Sequence, residues 1–155
     1  AADVQFLSIS GLGGDDDVVD TSGLQCTVRG GAGDDTITVG DGQMSIAGGD
    51  GNDVVTAGRG AHFIDLGEGH DGVSTGPGND TIIGGRGNDT ITTGPGGDRV
   101  LGDGGDDAIL TSSGYDTIYT GTATTRSAPA RATTSSRATR RLHPAANARS
   151  PAAAR

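Results

Sequence analysis

The sequence predicts an all-β fold, a parallel β-solenoid built from nine-residue half-turns. A nine-residue unit repeats without a break over residues 30–119, most clearly in GGAGDDTIT (30–38), GGDGNDVVT (48–56) and GGRGNDTIT (84–92). Each of these three units has a glycine-rich loop, an acid at its sixth place and Val or Ile at its eighth. Tandem repeats of this kind are typical of solenoids, because each unit buries its apolar face only by stacking on its neighbours.

The eighth place of the unit predicts the core. The register extends upstream to a unit that begins at Ala2, with Asp20 interpreted as a single inserted residue between units 11–19 and 21–29. Every eighth place is then Val or Ile. These residues are Ile9, Val18, Val28, Ile37, Ile46, Val55, Ile64, Val73, Ile82, Ile91, Val100, Ile109 and Ile118. Strand alternation turns the eighth residue inward and the seventh and ninth outward.

The last three places of each unit favour strand, as in Thr36-Ile37-Thr38 and Thr90-Ile91-Thr92. Glycines, mostly at places two and four, suit a turn with positive φ or close backbone approach. A three-residue strand and a six-residue turn make half of a flattened coil. Two units therefore complete one turn, and each unit stacks in parallel on the next unit but one, about 4.8 Å away.

Charge divides the chain into a predicted solenoid, residues 1–120, and a predicted disordered basic tail, residues 121–155. The first segment carries all 20 acids and four Arg, a net charge of −16, and the second carries seven Arg and no acid. The tail is rich in Ala, Arg, Thr, Ser and Pro and has no apolar period, so we expect a solvated segment or a basic arm that docks on anionic surfaces. The acidic body would repel nucleic acid and attract cations.

Apolar burial is too small to fold this chain unaided. Thirty residues are Gly, 3% are aromatic, and the single Cys excludes an internal disulfide. No stretch approaches the roughly 18 apolar residues of a membrane helix, so no transmembrane segment is predicted. Something must neutralise the aspartates and cross-link the loops.

The sixth-place residues fall into two columns, because successive units lie on opposite sides of the coil. Column one consists of Asp16, Asp35, Asp53, Asp71, Asp89 and Asp107. Column two consists of Cys26, Met44, His62, Asp80, Asp98 and Asp116. The first three members of column two supply no carboxylate, and we expect Cys26 and Met44 to be apolar fillers and His62 a filler rather than a metal ligand.

Nonapeptides of the form GGxGxDxUx resemble those of the repeats-in-toxin (RTX) family, over about residues 9–120. The resemblance implies a right-handed parallel β-roll in which Ca²⁺ ions lie between successive loops. Their ligands would be the sixth-place aspartates and the carbonyls of places two and four. The implied ligand residues are Asp16, Gly31, Gly33, Asp35, Gly49, Gly51, Asp53, Gly67, Gly69, Asp71, Gly76, Gly78, Asp80, Gly85, Gly87, Asp89, Gly94, Gly96, Asp98, Gly105, Asp107 and Asp116.

The chemistry of these residues points to the same metal. Ca²⁺ takes six to eight hard oxygen ligands, whereas soft or borderline metals prefer Cys and His clusters, which the sequence lacks. We expect about five ions in column one and about two in column two. For each aspartate the alternative is a turn residue that bonds to its own backbone, and this alternative is strongest at Asp16. The fifth-place residues are expected to stabilise loops rather than bind metal; they are Asp34, Asn52, Asn79, Asn88 and Asp106.

The sequence therefore predicts a non-enzymatic calcium-binding domain that folds with calcium in a secreted bacterial protein of the RTX type, extracellular or at the cell surface. The alternative is an accessory C-terminal domain of a secreted protease or lipase whose catalytic part is not in this chain. No catalytic or cofactor-binding constellation can be assembled from the residues. An ice-binding solenoid is disfavoured, because no third-place loop residue from Gly13 to Ser113 is threonine.

Overall fold

The computed structural model describes residues 7–11, 13–21, 23, 25–121 and 126–129. Within these residues the chain forms fourteen strands and no helix, and the strands make two seven-stranded parallel sheets. Odd-numbered strands form the first sheet and even-numbered strands the second, so the chain alternates between sheets at every unit. The predicted parallel β-solenoid is confirmed. None of the described residues provides a helix long and apolar enough to cross a membrane.

The two sheets differ in strand length. The first sheet contains β1 (Leu7–Ser10), β3 (Cys26–Ala32), β5 (Met44–Asp50), β7 (Phe63–Glu68), β9 (Thr81–Arg86), β11 (Arg99–Gly104) and β13 (Thr117–Tyr119). The second contains β2 (Asp17–Asp20), β4 (Thr36–Val39), β6 (Val54–Ala57), β8 (Gly72–Thr75), β10 (Thr90–Thr92), β12 (Ala108–Thr111) and β14 (Arg126–Pro129). From β3 to β11 the strands of the first sheet continue into the glycine loop, and these are longer than the three residues that the sequence predicts.

Neighbouring strands pair with an offset of 18 residues, as in Ile46 with Ile64 and Ile64 with Ile82. The offset is 19 at the first turn, where Asp20 pairs with Val39 inside β2 and β4. It returns to 18 at Cys26, which pairs with Met44. The extra residue therefore lies between Asp20 and Cys26. The prediction that Asp20 is itself the insertion is wrong, because Asp20 is a paired strand residue.

The core is the predicted one. Eleven of the eighth-place residues are buried, and the two terminal ones, Ile9 and Ile118, are partly buried against the same cluster. The inward alternation continues on both sides of the eighth place, so that the sixth-place Asp35 and the first-place Val39 are buried together with Ile37. Each strand thus turns three residues of its unit inward, and the acidic sixth place is one of them.

The glycine loops stack as closely as the strands. Gly51 has a φ of 128° and a Cβ atom there would overlap the carbonyl oxygen of Gly33 in the preceding turn. Gly78 has no positive φ, yet a Cβ atom there would overlap Gly60 O in the same way. The repeat therefore demands glycine at these places for close approach between turns as well as for backbone conformation.

Strand β14 lies inside the predicted tail. Arg126–Pro129 pairs in parallel with β12, with Ala108 opposite Arg126, which keeps the 18-residue period. For these four residues the structure differs from the predicted disorder, because the exposed edge of β12 offers backbone donors and acceptors to any following segment. Residues 122–125 and 130–155 of the predicted tail lie outside the described residues.

Truncation of the core should destabilise the calcium-saturated protein according to burial. Ile64 is fully buried between β5 and β9, so Ile64→Ala should lower the free energy of unfolding by about 2–5 kcal/mol. Val54, 52% exposed on β6, is the matched control, and Val54→Ala should cost about 1 kcal/mol or less. Denaturant unfolding followed by circular dichroism measures both. Equal losses would contradict the assignment of the core.

Candidate metal centres

The sixth-place residues stack in two columns as the sequence predicts. Column one precedes the strands of the second sheet and column two those of the first. All the aspartates of both columns are at most 4% exposed except Asp16, which is half-buried at the N-terminal edge. Consecutive members are 18 residues apart, one turn of the solenoid, apart from the first step of column one. Each column is thus a row of buried carboxylates about 4.8 Å apart.

One oxygen of each buried carboxylate joins adjacent turns. The backbone N–H of Asp35 donates to Asp53 Oδ1 at 2.9 Å, and that of Asp53 donates to Asp71 Oδ1 at 2.8 Å. In column two the N–H of Asp80 donates to Asp98 Oδ1 at 2.9 Å. The partner is a backbone group of the preceding turn. The turn-residue alternative, in which each aspartate bonds to its own loop, is therefore not the arrangement seen for these oxygens.

The other carboxylate oxygen is buried and has no hydrogen-bond partner among the described residues. This holds for the Oδ2 atoms of Asp35, Asp53, Asp71, Asp89 and Asp107 in column one and of Asp80, Asp98 and Asp116 in column two. Burying an ionised oxygen without a partner is costly, and natural proteins rarely leave such groups unsatisfied. Eight equivalent orphan oxygens in two rows therefore indicate a ligand that the protein atoms alone do not supply.

The Oδ2 atoms of four column-one aspartates point at the first-place glycine of their own unit; these are Asp35, Asp53, Asp89 and Asp107. A Cβ atom placed on Gly84 would lie 2.6 Å from Asp89 Oδ2 and 2.8 Å from the carbonyl oxygen of Gly102 in the next turn. The same two oxygens, one carboxylate and one main-chain carbonyl, converge on the first-place glycines Gly30 and Gly48. Two acceptor oxygens then face one small space, an arrangement that suits a cation.

The first-place carbonyl oxygen is not among the ligands implied by the sequence. The glycine at place one of the clearest units is the feature that could have indicated it. The Asp71 unit departs from this pattern because its first place is Leu66, which is fully buried. A buried leucine side chain therefore stands at the place where the other column-one units with a buried aspartate have glycine.

The carbonyls named for places two and four are aligned along the stack. A Cβ atom on Gly49 would overlap Gly31 O, and one on Gly96 would overlap Gly78 O. The third-place carbonyl has another role, since Gly51 N–H donates to Glu68 O at 2.8 Å. A Cβ atom built on the glycine one turn later would likewise overlap the carbonyl oxygens of Gly33, Gly49, Gly51, Gly67, Gly69, Gly76, Gly87 and Gly96.

Electrostatics oppose ionisation of the rows in the absence of a cation. Burial, together with the neighbouring Asp89 and Asp53, raises the pKa of Asp71 from 3.8 to about 6, against the lowering effect of the backbone N–H of Asp53. Burial likewise raises the pKa of Asp53, Asp89, Asp98 and Asp107. The rows therefore need a compensating positive charge at neutral pH.

The N-terminal half of column two has a different lining. Cys26, Met44 and His62 are each at most 4% exposed, and they border an open groove of about 440 Å³. Cys26 and Met44 belong to the apolar core, as predicted, and burial followed by contact with Asp20 raises the pKa of the Cys26 thiol to about 11. His62 Nε2 lies 3.3 Å from Gly58 O. These rungs hold no carboxylate at the sixth place.

Fifth-place residues form a separate ladder on the exposed side of the column-one loops. Asn52 N–H donates to Asp34 Oδ1 at 2.7 Å, and His70 N–H donates to Asn52 Oδ1 at 2.8 Å. The ladder continues with Asp106 N–H donating to Asn88 Oδ1 at 2.7 Å. These bonds link consecutive turns, the loop-stabilising role expected from the sequence.

The residues present fit calcium. Along the described part of the chain, no three His, Cys, Asp or Glu side chains converge on one point. An ion between two turns would therefore combine carboxylates of successive turns with main-chain carbonyls, a hard all-oxygen set. Such a set suits Ca²⁺ and does not suit metals that require nitrogen or sulfur.

Comparison with known proteins agrees with this chemistry. The family model of the RTX calcium-binding nonapeptide repeat matches four stretches, residues 27–43, 45–73, 74–109 and 101–123, which together cover more than half of the chain. Searches of curated proteins and of solved structures found no match. The family's repeat roll is a structural calcium-binding fold rather than a catalytic one. The chain belongs to the RTX family of calcium-binding nonapeptide-repeat proteins.

Proposed function

We propose that this chain binds Ca²⁺ in two ladders along the solenoid and that binding drives its folding. The observation that supports this most directly is the set of eight buried, unpartnered Oδ2 atoms in two rows. Bound Ca²⁺ would supply positive charge between carboxylates of successive turns and cross-link their loops. The chain contributes one carboxylate per rung, the first-place carbonyl, and the carbonyls of places two and four.

The two ladders differ in length. Column one has five rungs with a buried free oxygen, from Asp35 to Asp107, and column two has three, from Asp80 to Asp116. Because each ion would lie between two successive loops, the six loops of column one from Asp16 to Asp107 give about five ions and the three acidic loops of column two give about two. The weaker rungs of column one are the half-buried Asp16 at its edge and Asp71, whose unit has the buried Leu66 in place of the first-place glycine.

Folding coupled to calcium would place the working site outside the cell. Extracellular modules bind Ca²⁺ at about 10⁻⁴–10⁻³ M, well above cytosolic concentrations, so a body with a net charge of −16 over residues 1–120 would stay unfolded until export. Residues 121–155 would then be a basic tail of the secreted protein. An accessory domain of a secreted protease or lipase would use the same ions, and the gene sequence on either side of this chain distinguishes the two.

Calcium titration of the purified chain tests the proposed function. Circular dichroism should show coil in chelator at pH 7.5 and β-structure at millimolar Ca²⁺, and Mg²⁺ should not substitute because it dehydrates reluctantly and demands octahedral geometry. A β-spectrum of the same strength in chelator and in calcium would contradict the proposal.

Removal of one sixth-place charge should weaken calcium-induced folding, whereas removal of its neighbour should not. Asp35 is buried with a free Oδ2, while Asp34 is exposed and uses Oδ1 to accept from Asn52, a bond that Asn preserves. We expect Asp35→Asn to raise the Ca²⁺ midpoint by about tenfold and Asp34→Asn to change it by less than about twofold. Equal shifts in the two variants would mean that only overall charge matters.

Acid should stabilise the metal-free roll. Because the pKa of Asp71 is about 6 in the folded roll and 3.8 as its ordinary value, the folded state binds the proton more tightly. This contribution is fully present below pH 3.8 and is lost as pH rises through about 6. In calcium-free buffer, β-structure should therefore decrease from pH 4 to pH 7, and Asp71→Asn should flatten the upper part of that curve. A metal-free chain that is more structured at pH 7 than at pH 4 would contradict this.

A further inference from the structure

A second row of buried polar groups runs beside the aspartates of column two. Thr75, Thr93 and Thr111, the first-place residues of successive turns, are 7%, 2% and 0% exposed. Their Oγ1 atoms are buried and have no hydrogen-bond partner within the part of the chain that the structure describes. A hydroxyl removed from water without a partner is costly, and Val would fill the same volume without that cost. Packing alone therefore does not account for three stacked threonines.

The threonines accompany the carboxylates. In column two each threonine stands five residues before a sixth-place aspartate, Thr75 before Asp80, Thr93 before Asp98 and Thr111 before Asp116. Two of the three units of that column without an acid have an apolar first place, with Val39 before Met44 and Ala57 before His62, and in the unit of Cys26 the residue paired with Val39 is Asp20.

Column one has no hydroxyl at the first place in the units that carry its buried aspartates. The first-place residues there are Gly30, Gly48, Leu66, Gly84 and Gly102. The hydroxyl is therefore specific to the acidic rungs of the second column.

The geometry of the column-one units indicates that a first-place side chain lies beside the carboxylate of its own unit. In column one the first-place Cβ position is the point on which the free Oδ2 and a carbonyl oxygen converge. In column two that position holds a threonine Cβ, and Oγ1 is one bond further. Burial is the main influence on the pKa of Asp98 and raises it, while a hydrogen-bonding interaction with the Thr93 side chain lowers it, which places that hydroxyl next to the carboxylate. Among the described residues, Thr93 Oγ1 and Asp98 Oδ2 nevertheless have no partner with regular hydrogen-bond geometry.

We propose that the hydroxyls of Thr75, Thr93 and Thr111 are additional oxygen ligands of the column-two cation sites. The inference rests on the proposed calcium binding and extends it, since it gives the two ladders different ligand sets. Column-one sites take a carboxylate and main-chain carbonyls around a glycine. Column-two sites add one neutral side-chain oxygen per rung, which raises the ligand number without adding charge. Ca²⁺ affinity is tuned by ligand number, charge and rigidity, so the short ladder gains affinity by this route.

Variants at Thr93 separate a ligand from a packing residue. Thr93→Val removes the hydroxyl and keeps the shape, and Thr93→Ser keeps the hydroxyl and removes the methyl group. Thr90→Val, on the exposed seventh place of the neighbouring unit, controls for the higher strand propensity of Val. The full chain is titrated with Ca²⁺ by circular dichroism and calorimetry, and ion stoichiometry is measured by equilibrium dialysis.

We expect Thr93→Val to raise the Ca²⁺ midpoint by about three- to tenfold, while Thr93→Ser and Thr90→Val stay within about twofold of the parent. The triple variant Thr75→Val, Thr93→Val, Thr111→Val should lose about two ions from the stoichiometry and still reach the β-spectrum at high calcium, because column one is intact.

Three outcomes would overturn the inference. They are a parent-like midpoint in Thr93→Val, a tighter midpoint in Thr93→Val, and equal weakening by Thr93→Val and Thr93→Ser. A parent chain that binds no calcium would instead overturn the proposed function itself.

Discussion

Repulsion between stacked carboxylates is the constraint on which the structure depends. Each turn places an aspartate of column one inside the roll directly above that of the preceding turn, about 4.8 Å away. Two unit charges at that distance repel appreciably wherever water is excluded. One oxygen of each carboxylate accepts a hydrogen bond from a backbone N–H of the neighbouring turn, and the other oxygen has no partner among the described residues. A roll with this interior needs a cation or a proton for every rung.

The other places of the repeat position the acidic residues inside the roll. Val and Ile at the eighth place give each sheet a continuous apolar row, which fixes the register and keeps the acidic sixth place facing inward. Glycine at places two and four lets loops stack at the spacing of the strands, and glycine at place one of column one leaves a space beside the carboxylate. Exposed fifth-place residues such as Asp34 and Asn52 tie the loops together from outside. The apolar core supplies the register, and the charged columns supply the oxygen ligands of the proposed calcium sites.

Most of the fold could be predicted from periodicity alone. A nine-residue unit with an invariant aliphatic place specified two parallel sheets, the core and the two acid columns, because every unit repeats the same local preference. The insertion at the first turn was misplaced at Asp20, since sequence letters do not show which residue a strand pairs. The pairing of β14 with β12 lay in a segment with no apolar period, where backbone bonding to a sheet edge leaves no compositional trace.

The aspartates of the site could be predicted from the sequence, whereas the roles of the residues around them could not. Asp35, Asp89 and their equivalents follow from the spacing, but the role of the first place does not, because a glycine or threonine there is also ordinary turn or strand chemistry. Only the stacked structure shows that Gly84 borders Asp89 Oδ2 and that the hydroxyl of Thr93 is buried, with no partner of regular hydrogen-bond geometry among the described residues. Contacts between turns 18 residues apart determine these features.

Long-wavelength anomalous diffraction from crystals grown in calcium tests directly whether Ca²⁺ ions lie between the stacked carboxylates. The account predicts two rows of calcium peaks with a spacing of about 4.8 Å, each beside an Oδ2 atom from Asp35 to Asp107 or from Asp80 to Asp116. An ordered roll without peaks at those oxygens, or one whose aspartates face open water, would contradict it.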